Sequence, residues 1–386
     1  MHLSDCKNML ILHFMETITP SLPHGHLPRR ITVARELSDL TQAELSKRLR
    51  FKDRQTLATI EAGQRRVTAE ELVAIAEATG QDLDFFTDPY RLVGEGAFSY
   101  RAADTVEDEL NTFEQKAGNW LALWRQLGES RGESASLLRP RLAINLNSTF
   151  EEAQAAGEAV GRELQLGDIP AEKLVSALER KFNLLVLEVD MPKGVSGAAV
   201  QLATGDAILI NRVESPGRKN FDLAHELFHV LTWDALPPER VDRLNPTGYK
   251  QKRTEQLADN FAGALLMPAA ELKPRWEKLQ AQSSLKNTLS VLAEHFHVSV
   301  VAVGWRLVAL GWLKAEELTS SVLRSASKTP KAASSPLFSQ RYIERIAWGI
   351  DRGELSVKRL LGLLHLGLEE FRACCQAYRV KVDIGL

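Results

Sequence analysis

The sequence predicts an α+β protein of several domains: an all-α unit first, then a small sheet with helices, then a helical C-terminal tail. Three observations carry that expectation. From Arg29 to Thr79 the apolar residues recur at helical spacing in short segments parted by three or four residues. Leu184-Leu185-Val186-Leu187-Glu188-Val189 is an apolar, β-rich run, and Gly197–Val200 and Ala207–Asn211 flank the turn Thr204-Gly205-Asp206 as two more strands. Helical patterns return from Phe221 onward, and helices, a sheet and helices again is an α+β order.

The composition agrees. At 386 residues the chain is too long for one small core. With 44% hydrophobic and 25% charged residues it reads as globular rather than disordered. A net charge of -2 excludes wholesale coating of nucleic acid, although it averages over regions that differ. Cys6, Cys374 and Cys375 make neither a disulfide framework nor a thiolate metal site. Met1–Leu12 lacks the apolar region of a signal peptide, and no uninterrupted apolar stretch reaches the ~20 residues that span a bilayer. The expectation is a cytoplasmic protein with no membrane partner.

Element by element, residues 1–28, with Pro20, Pro23, Gly25 and Pro28, read as a flexible arm, and 29–88 as a helical domain. Residues 89–147 read as a helical linker around an amphipathic helix over 104–127, with Leu110, Phe113, Ala117, Trp120, Leu121 and Trp124 on one face. A second domain over 148–325 opens with helices at 150–164 and 171–181. Residues 326–338 are a polar linker, and 339–386 a helical C-terminal region whose Leu360–Leu368 reads as core or interface.

In the first domain Thr41 is placed as an N-cap, with Glu44 completing a capping box, and Asp53 caps a second helix, Arg54 to Glu61, that stops near Gly63. Leu57 and Ile60 face the core, which leaves Arg54, Gln55, Ala58 and Thr59 outward. Two short helices, a tight turn and a polar second face describe a helix-turn-helix with a recognition helix for the major groove; the alternative is a purely structural hairpin. Arg29 to Val67 holds ten Lys/Arg against five Asp/Glu, whereas Thr68 to Asp84 holds five acids and no base, so the basic part is where phosphate is met. The candidate DNA contacts are Gln42, Arg54, Gln55, Thr59, Arg65 and Arg66, with Gln55 at a base edge and the last two at phosphates. Residues 285–313 also admit a helix-turn-helix reading, but are taken as packing.

In the second domain Ala224-His225-Glu226-Leu227-Phe228-His229 sets two histidines at i and i+4, one turn apart on one helical face, where both imidazoles reach a single ion. Glu226 then lies beside the ion's open position as a candidate general base. The alternative is an amphipathic helix with two ordinary histidines. A zinc site wants a third protein ligand, and Glu255 opens a second helical pattern that is apolar along Leu257, Ala258, Phe261 and Leu265. Asp259, one turn later, is placed to accept a hydrogen bond from the far nitrogen of a ligand histidine. Ile208–Asn211 reads as a sheet edge where an extended peptide docks by strand addition. Arg218, Tyr249 and Arg253 are available as oxyanion donors, with no ground for choosing among them. His24, His26, His295 and His297 read as arm, turn or surface residues.

These residues resemble two families. Gly197 to Pro268 is similar to the ImmA/IrrE metallopeptidases through Ile210-Asn211, Arg218, Phe221, Ala224 to His229, Glu255-x-x-Ala258-Asp259-x-Phe261-Ala262 and Leu265-Leu266-Met267-Pro268. With the upstream helices and Pro170 the resemblance spans roughly residues 148–313. It implies a zincin-like domain binding Zn2+ through His225, His229 and Glu255, with Glu226 as general base. Phe228 departs from the family by standing where a small residue, often Gly, is usual, and is expected to make the rim of the site more apolar. Leu40–Leu45, Ile60-Glu61-x-Gly63 and Leu72-x-x-Ile75-Ala76 resemble the XRE (phage-repressor-like) helix-turn-helix family. There the turn Leu49-Arg50-Phe51-Lys52-Asp53 departs, lacking the customary Gly and running about one residue long.

The family analogy implies a regulator, expected as a homodimer, that reads a double-stranded DNA operator and cleaves a repressor, an antitoxin or itself. The rival is a DNA-binding repressor or antitoxin-like regulator whose metal site is structural or sensory. Glu226 favours the first, because a structural site has no need of it.

Overall fold

The computed structural model describes residues 12–16, 26–53, 55–102, 106–133, 138–202, 205–243, 249–319, 323 and 334–382. They fall into two units, each discontinuous in sequence. One draws on Ile18–Ala97, Asn111–Ser134 and Glu344–Leu386; the other draws on Met1–Thr17, Phe98–Leu110 and Ala135–Ile343.

The first unit starts with five short helices, α1 (Leu27–Leu37), α2 (Gln42–Arg48), α3 (Gln55–Glu61), α4 (Ala69–Thr79) and α5 (Leu83–Thr87). Reciprocal capping boxes, Thr41 with Glu44 and Thr68 with Glu71, fix where α2 and α4 begin, and Gly80 in the left-handed region ends α4. Ile31, Ala34, Leu45, Leu57, Ile60 and Ile75 are fully buried between them. In the turn after α2, Arg50 itself takes a φ of 54°, the conformation for which a glycine is customary. The buried Arg30 guanidinium gathers the chain after α5, donating to the carbonyls of Asp88 (2.7 Å) and Arg91. From Asn111 onward α6 (Glu107–Ser130) belongs here, and its Arg125 donates to Pro89 O at 2.8 Å and pairs with Glu95.

The second unit holds two sheets. β1 (Leu12–Glu16) pairs antiparallel with β3 (Leu138–Leu142). The larger sheet joins β2 (Gly96–Ala102), β4 (Leu185–Val189), β5 (Val195–Leu202), β6 (Ala207–Asn211) and β7 (Val241–Arg243) in the order β4-β6-β5-β2-β7. Two expectations are corrected by it. Residues 96–102 were expected in a helical linker, yet they form an inner strand, parallel to β7 and neighbour to β5, with Tyr100 and Ala102 buried. Ile208–Asn211 is not an edge: β6 is parallel to β4 on one side, antiparallel to β5 on the other, and buried at every position. A strand apolar throughout belongs inside a sheet, where both faces are covered. The edges are β4 and β7, and Phe338 N–H donates to Glu188 O (2.6 Å) along the outer side of β4.

Around this sheet lie α7 (Phe150–Glu163), α8 (Pro170–Ala177), α9 (Pro216–Thr232), α10 (Tyr249–Leu266), α11 (Ala269–Gln280), α12 (Leu285–Phe296) and α13 (Val300–Ala309). α9 packs on β5 and β6, α10 packs on α9, and α7 backs α10. α12 and α13 meet at 102° and place Leu289, Leu292, Phe296, Val303 and Leu307 in the core. No single helix among the described residues is long and apolar enough to cross a membrane.

The chain ends in α14 (Gln340–Asp351), α15 (Val357–Leu364) and α16 (Leu368–Ala377). From Glu344 these belong to the first unit, where Trp120 Nε1–H donates to Leu364 O (3.3 Å) and Arg359 pairs with Asp88.

α7 and α10 touch backbone to backbone. A Cβ added at Gly157 would lie 2.4 Å from Phe261 O and 3.0 Å from Leu265 N, whereas one at Gly161 would make ordinary contacts, 3.5 Å from Leu265 Cδ1 and 3.8 Å from Leu265 O. Gly157→Ala is therefore expected to destabilise the chain by about 1–3 kcal/mol through overpacking. Gly161→Ala is expected to be neutral or stabilising, since Ala is the better helix former. Urea unfolding of the two variants checks this, and equal effects would refute the packing argument.

Candidate metal centre and nucleic-acid face

α9 opens with Pro216, whose missing N–H is no loss in the first turn. From Asp222 to Thr232 every residue is buried, so that stretch of the helix has no side facing water. Ionisable groups survive there only with partners.

The partners come from α10. His225 Nε2 lies 3.1 Å from His229 Nε2 and 3.2 Å from Glu255 Oε2, and His229 Nε2 lies 3.3 Å from Glu255 Oε1. Donors held about 2.0–2.1 Å from a tetrahedral ion stand about 3.3 Å apart, so this spacing suits zinc. His225 Nδ1 meets Asp259 Oδ1 at 2.9 Å. When the ring gives up its second proton, that N–H still donates to the carboxylate and Nε2 is left presenting a lone pair. In the metal-free centre a proton on His225 offsets the Glu255 carboxylate, and a metal ion would take that proton's place among the three donors. The residues present fit a metal ion.

Glu226 stands beside this cluster without belonging to it. It is 1% exposed, and its Oε1 has no hydrogen-bond partner among the described residues. Gly197 on β5 makes its room: a Cβ there would lie 3.1 Å from Glu226 Cγ and 3.3 Å from Oε1. Burial pushes the Glu226 carboxyl up to about 7, against the pull of His229 and His225. For His225, burial and Arg101 favour the neutral ring, yet Glu255 and Asp259 outweigh them and push it up to about 10. Burial alone would raise Glu255; His225 and His229 hold it well below the usual carboxylate range.

The remaining expected residues divide. Phe228 is corrected: it is fully buried with its ring centroid 5.6 Å from that of Phe261, in the core and not at a rim. Its ring also meets the His229 ring edge to face, with centroids 5.9 Å apart. Arg253 donates to Ser148 O and covers the Phe150 ring at 4.1 Å, and Arg218 pairs with Glu214 and Asp222 at 3.6 Å each. The Tyr249 side chain lies outside the described residues. Sequence reasoning missed Arg101 of β2, whose Nη1 donates to Asp222 Oδ1 at 3.1 Å and whose Nη2 is 3.5 Å from Asp259 Oδ1. The alternation Phe98, Tyr100, Ala102 could have marked the strand, but nothing local marks the arginine.

In the other unit, Gln55 and Arg66 are exposed on and after α3. Thr59 Oγ1 donates to Thr56 O at 2.8 Å, and Gln42 Nε2 donates to Glu61 Oε2 at 2.7 Å. Arg65, expected at a phosphate, is held by Glu71 through two bonds of 3.0 and 2.8 Å. Arg54 lies outside the described residues.

With this geometry in hand, comparison with known proteins separates the two units. Residues 33–86 match the helix-turn-helix family model, and 179–308 match that of the M78 peptidases, described as the IrrE N-terminal-like domain. The chain is 27% identical over 247 residues to Protein YhjJ of Escherichia coli (strain K12), covering 61% of this chain and 47% of that protein. It is 29% identical over 133 residues to a gamma-glutamyl phosphate reductase of Bacillus mycoides (strain KBAB4), covering 31% of each. The chain spans less than half the length of either relative.

Because metal-free His225 holds its proton up to about pH 10, a metal must displace that proton. With zinc as the probe ion, uptake at pH 8 is expected to release about one proton per ion, and affinity to rise about tenfold per pH unit until about pH 10, where the gain levels off. Calorimetry in two buffers of different ionisation enthalpy reads the proton count, and uptake without release would contradict the charge arrangement. The family models thus match the chain in two separate stretches, helix-turn-helix over 33–86 and the IrrE N-terminal-like domain of the M78 peptidases over 179–308.

Proposed function

We propose that the protein is a DNA-binding transcriptional regulator, acting as a cytoplasmic homodimer, fused to a zinc-dependent peptidase that cleaves a repressor, an antitoxin or itself. The observation that carries the peptidase half is Glu226: a buried carboxylate with an unpartnered oxygen, beside three converging donors but not one of them. A purely structural or sensory site would leave that burial without purpose.

His225, His229 and Glu255 would hold the metal, and Asp259 would keep the His225 ring in the right tautomer. A bound zinc supplies Lewis acidity, polarising the scissile carbonyl and acidifying a water. Glu226 takes the proton from that attacking water and hands it to the leaving amine. Burial raises this carboxyl above the usual range, which makes it a better proton acceptor than an exposed glutamate. Gly197 keeps the strand beside Glu226 free of a side chain.

Glu226→Gln is expected to retain zinc and fold yet lower cleavage at least ~100-fold, because it removes a base and no ligand. The assay uses repressor and antitoxin proteins encoded beside this gene. Cleavage at the wild-type rate would refute the peptidase reading.

For DNA, exposed Gln55 is the base-edge reader and Arg66 a phosphate contact, while Arg65 is occupied by Glu71. In the full-length chain Gln55→Ala is expected to cost about 1–3 kcal/mol on the operator and little on random duplex. Arg66→Ala should weaken both alike and reduce the salt slope by about one. Titrations of operator and random duplex at two salt concentrations separate the two patterns. The same loss pattern from both variants would overturn the assignment.

A further inference from the structure

We propose that Arg101 is a positioning residue for the metal centre, setting its affinity through Asp259; this rests on the zinc reading above. Arg101 lies on β2, outside both matched regions, and its side chain is 13% exposed. One arm meets Asp222 on α9, three residues before His225, and the other meets Asp259 on α10, four residues after Glu255. The guanidinium therefore ties to one strand both helices that carry the donors. The oxygen of Asp259 that it faces is the one accepting from His225 Nδ1.

The need for such a tie is visible in exposure. Asp222 is buried, but the Asp259 side chain is 49% exposed and would otherwise turn to water. Arg101 pins it, and through it the His225 ring. Burial alone would favour a neutral Arg101; Asp259, Asp222, Glu255 and Glu226 together keep it charged. A planar fork spanning two carboxylates is arginine's geometry and not lysine's.

Two effects of Arg101 oppose one another, and this makes the inference testable. As a bare positive charge it would repel zinc, so removing it would tighten binding. As a positioning group it holds a histidine in place, and losing such outer partners weakens metal affinity about 10–100-fold. The geometry favours the second effect, since the guanidinium already shares its charge between two carboxylates.

The test measures zinc affinity of the full chain by competition with a chromophoric chelator. The variants are Arg101→Gln, Arg101→Lys, Asp259→Asn and the Arg101→Gln/Asp259→Asn double variant, each checked for folding by circular dichroism. Arg101→Gln is expected to weaken zinc about 10–100-fold, Arg101→Lys to recover part of it, and the double variant to be no weaker than Asp259→Asn. Unchanged or tighter zinc in Arg101→Gln overturns the inference alone, as do additive losses in the double variant. If Arg101→Gln fails to fold, the folded Arg101→Lys decides: zinc as tight as wild type overturns the inference, and weaker zinc supports it. A wild-type chain that takes up no zinc, or one whose His225→Ala/His229→Ala variant binds it equally, sinks the metal reading and this inference with it.

Discussion

Between Asp222 and Thr232, α9 offers no side to water, and through that stretch it carries Asp222, His225, Glu226 and His229. Even after relaxation, an ion moved into protein loses several kcal/mol of hydration, so each of these side chains must be answered by a neighbour or a cation. The sheet unit is organised around that demand. β2 answers Asp222 with Arg101, and α10 answers the histidines with Glu255 and Asp259. The backbone contact at Gly157 sets how closely α10 is backed by α7, and so bears on where Glu255 stands. Gly197 lets β5 press against Glu226.

The balance is deliberately incomplete. Folding alone would select partners for all buried polar atoms, or apolar replacements for them. Among the described residues Glu226 Oε1 and His229 Nδ1 have no hydrogen-bond partner, and Glu226 directly follows the donor His225. A chain tolerates such exceptions where chemistry requires them. The same low-dielectric setting that makes them expensive also brings a carboxyl to the middle of the physiological range.

Much of this was legible in the sequence, where the signal is local. The capping pair Thr41–Glu44 lies within one turn, and α2 starts beside it. His225 and His229 are one turn apart, and the structure brings Glu255 to both. What escaped depends on partners distant along the chain. β2 is seven residues in a stretch that reads as linker, and it is a strand only because β5 and β7 flank it. Arg101 belongs to the centre only once that strand is placed. The interior position of β6 could likewise not be known before β4 and β5 were seen on its two sides. Phe228 misled because the family comparison concerned its size, whereas its burial is set by packing on Phe261, a residue distant along the chain.

The helical unit is assembled from three separate stretches of chain, so no single peptide-bond scission can release it whole. A nick between Arg91 and Phe98 would leave α1 to α5 on one fragment and α6, α15 and α16 on the other. Packing now held within one molecule, such as Arg359 on Asp88 and Arg125 on Pro89, would become contact between two. Its survival would then depend on dilution, because severing the tether removes the high effective concentration that covalent continuity provides.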